Sequence, residues 1–211
     1  MRSLVNVPPL PGTRLVVFLL AFSSFACLLG QFYGLWTMRM FGMCGLPPAT
    51  ALLVFLAWRH RHDAPGLNNP HTWIVQGATG GVLAAFAYDL YRLPYVLHGE
   101  PLFKMFPRFG ELLLGATQPR WLVHSVGWTY HFSNGAALGI MFLAGVSVFR
   151  RPWLFWGPVL WALFIEGMLL LTPYAAFFGL ALNGRFVFLT ASAHLIFGLT
   201  LGGFCRWRLA R

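Results

Sequence analysis

Phe186-Val-Phe-Leu-Thr-Ala-Ser-Ala-His194-Leu-Ile-Phe-Gly198-Leu-Thr-Leu-Gly202-Gly-Phe-Cys205 decides the class of this protein. The stretch contains no Asp, Glu, Lys or Arg, and a helix needs roughly 20 apolar residues to cross a bilayer. The rest of the chain agrees. Of 211 residues, 58% are hydrophobic and only 9% are charged, whereas a soluble domain carries about 25% charged residues. So little charge cannot cover a water-facing surface, which excludes a soluble enzyme, a secreted disulfide scaffold and a nucleic-acid-binding domain. The formal net charge of +10 then reads as loop charge that fixes orientation and meets anionic headgroups.

Outward from this stretch, five further apolar segments lie at residues 15–36, 40–58, 73–91, 121–149 and 153–173, with the sixth at 186–205. The expected fold is a single all-α domain over residues 1–211, a polytopic membrane protein with six transmembrane helices. The first segment is longer than a signal-peptide core of about 7–15 residues and lacks a clear cleavage site, so it reads as a retained helix. Pro47-Pro48 predicts a kink early in the second. Residues 92–120 mix Pro94, Pro101, Pro107 and Pro119 with charged and bulky apolar side chains. That stretch is too polar to span and too apolar for a free loop, so it is expected as an outer interfacial or re-entrant segment, either a headgroup anchor or a lid.

Six helices put both termini on one side. With cytoplasmic termini, the inner side holds Arg2, Arg14, Arg59, Arg61, Arg150, Arg151, Arg206, Arg208 and Arg211. The outer side holds Arg39, Arg92, Lys104, Arg108, Arg120 and Arg185. The excess, clustered at helix ends, favours a multi-pass protein of the cell inner membrane with both termini cytoplasmic. Cys27, Cys44 and Cys205 form no C-x-x-C pair, and an odd count argues against a disulfide framework.

Ionisable side chains inside a bilayer are costly and mark functional positions. His131, Glu166 and His194 stand deep in expected helices, and Asp89 stands at the outer end of the third. From the rise of 1.5 Å per residue, His131, His194 and Glu166 sit roughly 10–15 Å below the outer face. His131 and His194 each open the pattern H-x3-G-x3-G, through Gly135 and Gly139 or Gly198 and Gly202. Glycines at that spacing permit close helix contact. Their shared context predicts that the two imidazoles meet across one helix pair.

Imidazole and carboxylate together suit a transition metal. His131, His194 and Glu166 are the expected ligands of zinc, iron or copper. Glu166 and Asp89 are the candidate catalytic groups, as ligand or general base and as proton relay. His124, two turns above His131, Asn134 and Arg92 are candidate relay or access residues. Haem ligation by the two histidines is less expected beside buried acids. Met38, Met40, Met43 and Cys44 could supply soft ligands but read more simply as boundary packing. Phosphate-loop, H-E-x-x-H and G-x-S-x-G motifs are absent.

The leading expectation is therefore an integral membrane protein with an intramembrane His/carboxylate metal site acting on a membrane-soluble substrate. Three alternatives stand beside it: a proton- or ion-coupled small transporter or channel component, a haem-binding electron-transfer subunit, and a structural subunit. The expected partners are membrane lipid and either a second copy or a larger membrane complex.

Overall fold

The computed structural model describes residues 11–64, 66–146 and 152–209. The helices are α1 (Pro11–Phe32), α2 (Met38–Cys44), α3 (Leu46–Arg59), α4 (Pro70–Leu97), α5 (Met105–Leu114), α6 (Arg120–Val146), α7 (Trp153–Leu171), α8 (Tyr174–Phe177) and α9 (Gly184–Leu209). Among the described residues there is no strand. Four stretches are long and apolar enough to cross a membrane: Gly12–Phe32, Met38–Arg59, Trp153–Leu171 and Gly184–Leu209. The chain is a helical protein of membrane character. Arg2, Arg150, Arg151, Arg211 and the end of the expected fourth segment at 147–149 lie outside the described residues.

Local chemistry explains most helix ends. α1 stops at Phe32 because the chain turns through Gly34, whose φ of 67° suits glycine. The kink expected at Pro47-Pro48 falls slightly earlier, as a break at Gly45 between α2 and α3, and both prolines occupy the first turn of α3. There their missing N–H groups are harmless. Asn69 caps α4, its side chain accepting from the His71 amide while its Nδ2 donates to the carbonyls of His60, Asp63 and Ala64. One buried amide thus fixes the whole α3–α4 turn.

Several expected boundaries are corrected: α1 ends at Phe32 and not at Trp36, and α4 opens at Pro70 and not at Trp73. α4 does not stop near residue 91 but runs through Pro94 to Leu97, because Arg92 turns inward instead of marking a helix end. α9 extends past Cys205 to Leu209, with Arg206 and Arg208 in its last turn, where cations meet the negative end of the helix dipole.

α4 and α6 are the longest helices, of 28 and 27 residues, and they pack against each other through glycines. A side chain at Gly77, Gly81 or Gly139 would strike the backbone of the facing helix. Contacts to α1, α9 and α5 surround this pair, and α9 packs in turn along α7. At one end of the bundle Arg14 donates to Asn68 (2.7 Å) and Arg208 to Gln76 (3.4 Å). The start of α1, the α3–α4 turn and the end of α9 therefore share that end. At the other end Arg185 pairs with Glu100 at 2.7 Å, and α5 lies across the start of α6. Gly110 faces the Val123 backbone and Gly127 the Phe106 backbone, both too close for a Cβ.

Beneath α5, the buried side chains of Cys27, Met38, Phe106, Phe109, Tyr130 and Phe178 form an apolar cluster. Of the soft ligands, Met38 is buried while Met40, Met43 and Cys44 are exposed, as boundary packing requires. Leu52, Val54, Phe55 and Trp58 of α3 remain at least half exposed.

Candidate functional site: two carboxylate–histidine pairs around Arg92

The buried ionisable groups Asp89, Arg92, Glu166 and His194 collect near the α5 end of the bundle, with the partly buried His131. Asp89 and Arg92 come from α4, His131 from α6, Glu166 from α7 and His194 from α9. His131 Nε2 lies 2.7 Å from Asp89 Oδ2. His194 Nδ1 lies 3.0 Å from Glu166 Oε2 and 2.9 Å from the Thr190 carbonyl. Both neighbours of that nitrogen accept only, so His194 carries its proton on Nδ1 and keeps Nε2 as the basic position. The carboxylate of Asp89 fixes the tautomer of His131 in the opposite sense, with the proton on Nε2 and the lone pair on Nδ1.

Both pairs occupy the same place in a repeated helix pair. Gly135 of α6 faces Gly81, eight residues before Asp89, and Gly198 of α9 faces Pro158 and Val159, eight and seven residues before Glu166. One turn further, Gly139 faces Gly77 and Gly202 faces Phe155. In each case the glycines bring two helices into backbone contact, and the acid and imidazole meet where the contact ends.

Arg92 sits between the pairs. Only 1% of it is exposed, and a buried guanidinium must find partners or destabilise the fold. Its Nη2 donates to the Leu102 carbonyl, tying the segment before α5 to α4. Its Cζ stands 4.7 Å from the Tyr88 ring centre, 5.2 Å from Phe103 and 5.7 Å from Phe106, so aromatic faces replace part of its hydration. Nη1 is 3.6 Å from Asp89 Oδ1. That distance is an ion pair without a hydrogen bond. Arg92 Nε and Nη1, Asp89 Oδ1 and Glu166 Oε1 are all buried without a hydrogen-bond partner.

The shared metal set is not formed. Among the described residues no group of three or more His, Cys, Asp or Glu side chains is placed to hold a metal ion. Each glycine stripe faces a different helix, α4 for α6 and α7 for α9, so His131, His194 and Glu166 do not converge across one α6–α9 contact. Tyr88 stands between the imidazoles, its ring centre 5.0 Å from His194 and 6.1 Å from His131.

Other expected residues divide. Asn134 lines the cavity described below, and its Oδ1 accepts from Ser24 of α1 at 2.6 Å. His124 is exposed. It shares the helix face of His131 but stands two turns nearer the start of α6, about 10 Å away along the axis. Tyr88, Thr190 and Phe106 were not legible as site residues. Tyr88 and Thr190 stand four residues before Arg92 and His194, a spacing that puts them on the same helix face. Phe106, stacked on His131 at 4.2 Å, comes from a distant segment and left no local signal.

A cavity of about 100 Å³ opens beside these groups, bordered by Tyr88, Arg92, His131, Asn134, Tyr174 and His194 and otherwise by apolar residues of α1, α4, α5, α6, α7 and α9. Met105, Phe106 and Phe109 of α5 roof it. A smaller one of about 30 Å³ lies against Arg92, Glu166, Thr190 and His194. Tyr88, Arg92, Met105, Leu169, Tyr174 and His194 line both. No family model matches the chain, and no curated protein or solved structure shows significant similarity to it.

Proposed function

We propose that this chain is a six-span protein of the cell inner membrane that binds a membrane-soluble small molecule under α5 and exchanges protons with it. The spans are α1, α2 with α3, α4, α6, α7 and α9, and both termini are cytoplasmic. At 1.5 Å per residue, α4 and α6 extend about 40 Å, more than the hydrocarbon core of about 30 Å. Gly77, Gly81, Asp89, Arg92, Gly135 and Gly139 face protein, while the apolar outer surfaces of α1, α3 and α7 meet lipid. The arginine-rich bundle end carrying Arg14, Arg59, Arg61, Arg206 and Arg208 is the cytoplasmic one. α5 is then the interfacial lid over the site.

One observation carries this function: two imidazoles, each held through one nitrogen by its own buried carboxylate, border the same cavity. A carboxylate orients an imidazole and stabilises its protonated form, leaving the second nitrogen to take or give a proton. The separate pairing of the histidines favours proton exchange over the single metal centre.

The test begins with protein purified from its own membranes, extracted with organic solvent and examined by mass spectrometry. An apolar molecule should appear in about equimolar amount and be lost from Leu169→Trp, whose indole would intrude on the space next to both cavities, which Leu169 lines. Rebinding that molecule by calorimetry in buffers of different ionisation heat counts the protons exchanged. A nonzero count is expected, falling to zero in the His131→Gln/His194→Gln variant. Equal extracts from wild type and Leu169→Trp, or no protons exchanged by wild type, would overturn the proposal.

A further inference from the structure

The structure assigns the cavity, on the reading that it binds a membrane-soluble molecule, to a neutral aromatic alcohol of the phenol or quinol class. In this arrangement the ring lies among the aromatic side chains and the hydroxyl sits between Arg92 and Glu166.

Three observations converge on that chemistry. The larger cavity, about 100 Å³, is walled by Phe25, Phe32, Tyr88, Phe106, Phe109 and Phe197. With the adjoining cavity of about 30 Å³ it approaches the roughly 150 Å³ of an engineered apolar cavity that takes benzene, and aromatic walls favour a ring through edge-to-face and offset contacts. The smaller cavity, about 30 Å³, exceeds the roughly 10–15 Å³ that a single water requires, so it accepts a head group of one oxygen. Finally, the buried atoms without hydrogen-bond partners are of both kinds. Arg92 Nε and Nη1 can only donate, and Glu166 Oε1 can only accept while ionised. A hydroxyl satisfies both at once, its oxygen accepting from Arg92 and its O–H donating to Glu166 Oε1.

Charge separates this class from its neighbours. The site already holds two carboxylates, Asp89 at 3.6 Å from the guanidinium of Arg92 and Glu166 beside Arg92 on the wall of the smaller cavity. An anionic head would add a third negative charge where little solvent screens it. An ether accepts from Arg92 but leaves Glu166 Oε1 unpaired.

The experiment compares 4-propylphenol, 4-propylanisole and 4-propylbenzoate by equilibrium dialysis at pH 7.5 against the protein in lipid nanodiscs, with empty nanodiscs as blank. The phenol is expected to bind about tenfold more tightly than the methyl ether, the scale of one lost buried hydrogen bond, and more tightly still than the benzoate. Glu166→Gln should reduce the phenol-to-ether ratio to about threefold or less. Leu169→Trp should abolish specific binding of all three. If Glu166→Gln does not fold, Thr190→Val, which alters the wall of the smaller cavity alone, should weaken the phenol and spare the ether. Preference for benzoate, or equal binding of phenol and ether, would overturn the alcohol assignment while leaving the cavity proposal standing. Binding of none of the three, with none displaced by Leu169→Trp, would overturn both.

Discussion

Replacing Gly198 by alanine tests the helix-pair register on which the site depends. A Cβ at Gly198 would lie 2.6 Å from Val159 Cα and 2.9 Å from the Pro158 carbonyl oxygen, whereas ordinary contact begins near 3.4 Å. α9 must therefore back away from α7 by about 0.8 Å, and both obstacles are backbone, so no side chain can rotate aside. Overpacking of this kind costs about 1–3 kcal/mol. Gly203, on the same helix, has nothing within 4 Å of an added Cβ. There, alanine should be neutral or stabilise by up to about 1 kcal/mol through its helix propensity. Gly135 gives the equivalent perturbation on the other pair, where an added Cβ would meet the Ala85 Cβ at 2.7 Å.

Thermal and denaturant unfolding of the four variants, including Gly135→Ala/Gly198→Ala, reads the outcome in a fixed detergent. Since the glycines face different helices and share no partner, their costs should add within about 0.5 kcal/mol. Two results would refute the reasoning. One is Gly203→Ala as damaging as Gly198→Ala. The other is a double variant no worse than the single ones, which would mean that α6 and α9 close on each other after all.

Further expectations follow from single contacts. His194→Leu leaves Glu166 buried and unpaired and should cost about 3–5 kcal/mol in unfolding free energy, while Glu166→Leu/His194→Leu should cost less than the single change; a double variant worse than the single would contradict the pairing. Phe106→Ala removes a ring that is 1% exposed and stacked on His131, so a loss of about 3–5 kcal/mol is expected, with faster hydrogen exchange across α5. Trp73→Phe forfeits the 2.7 Å bond from the indole to the Leu67 carbonyl and should lower stability by about 1–3 kcal/mol. For sidedness, Lys104→Cys and Arg61→Cys in a background lacking Cys44 should label from opposite faces of sealed vesicles; labelling from the same face would reject the six-span arrangement.

The class of fold was legible in the chain because apolar runs near 20 residues match the thickness of a bilayer and little else, and four of them recur as long apolar helices. α4 and α6 were harder to bound. Their glycines, Asn134, Asp89 and Arg92 lower the apolar signal for the same reason that they sit at the centre, where backbone contact and buried pairing take the place of an oily surface. The residues of the site were legible because charge is rare here. With five acids in the whole chain, Asp89 and Glu166 could hardly escape notice. Their partners could not be read the same way. H-x3-G-x3-G is a statement about one helix face, and it is silent on which neighbour that face meets. Taken as a sign of kinship between His131 and His194, it suggested a single shared centre. The geometry gives it a different meaning: each copy is half of a helix–helix register whose other half is an acid eight residues beyond the contact, at Asp89 beyond Gly81 and at Glu166 beyond Pro158. The repetition lies in the pairs and not in the histidines. It places two like carboxylate–histidine pairs on either side of Tyr88 and Arg92, which belong to neither repeat pattern.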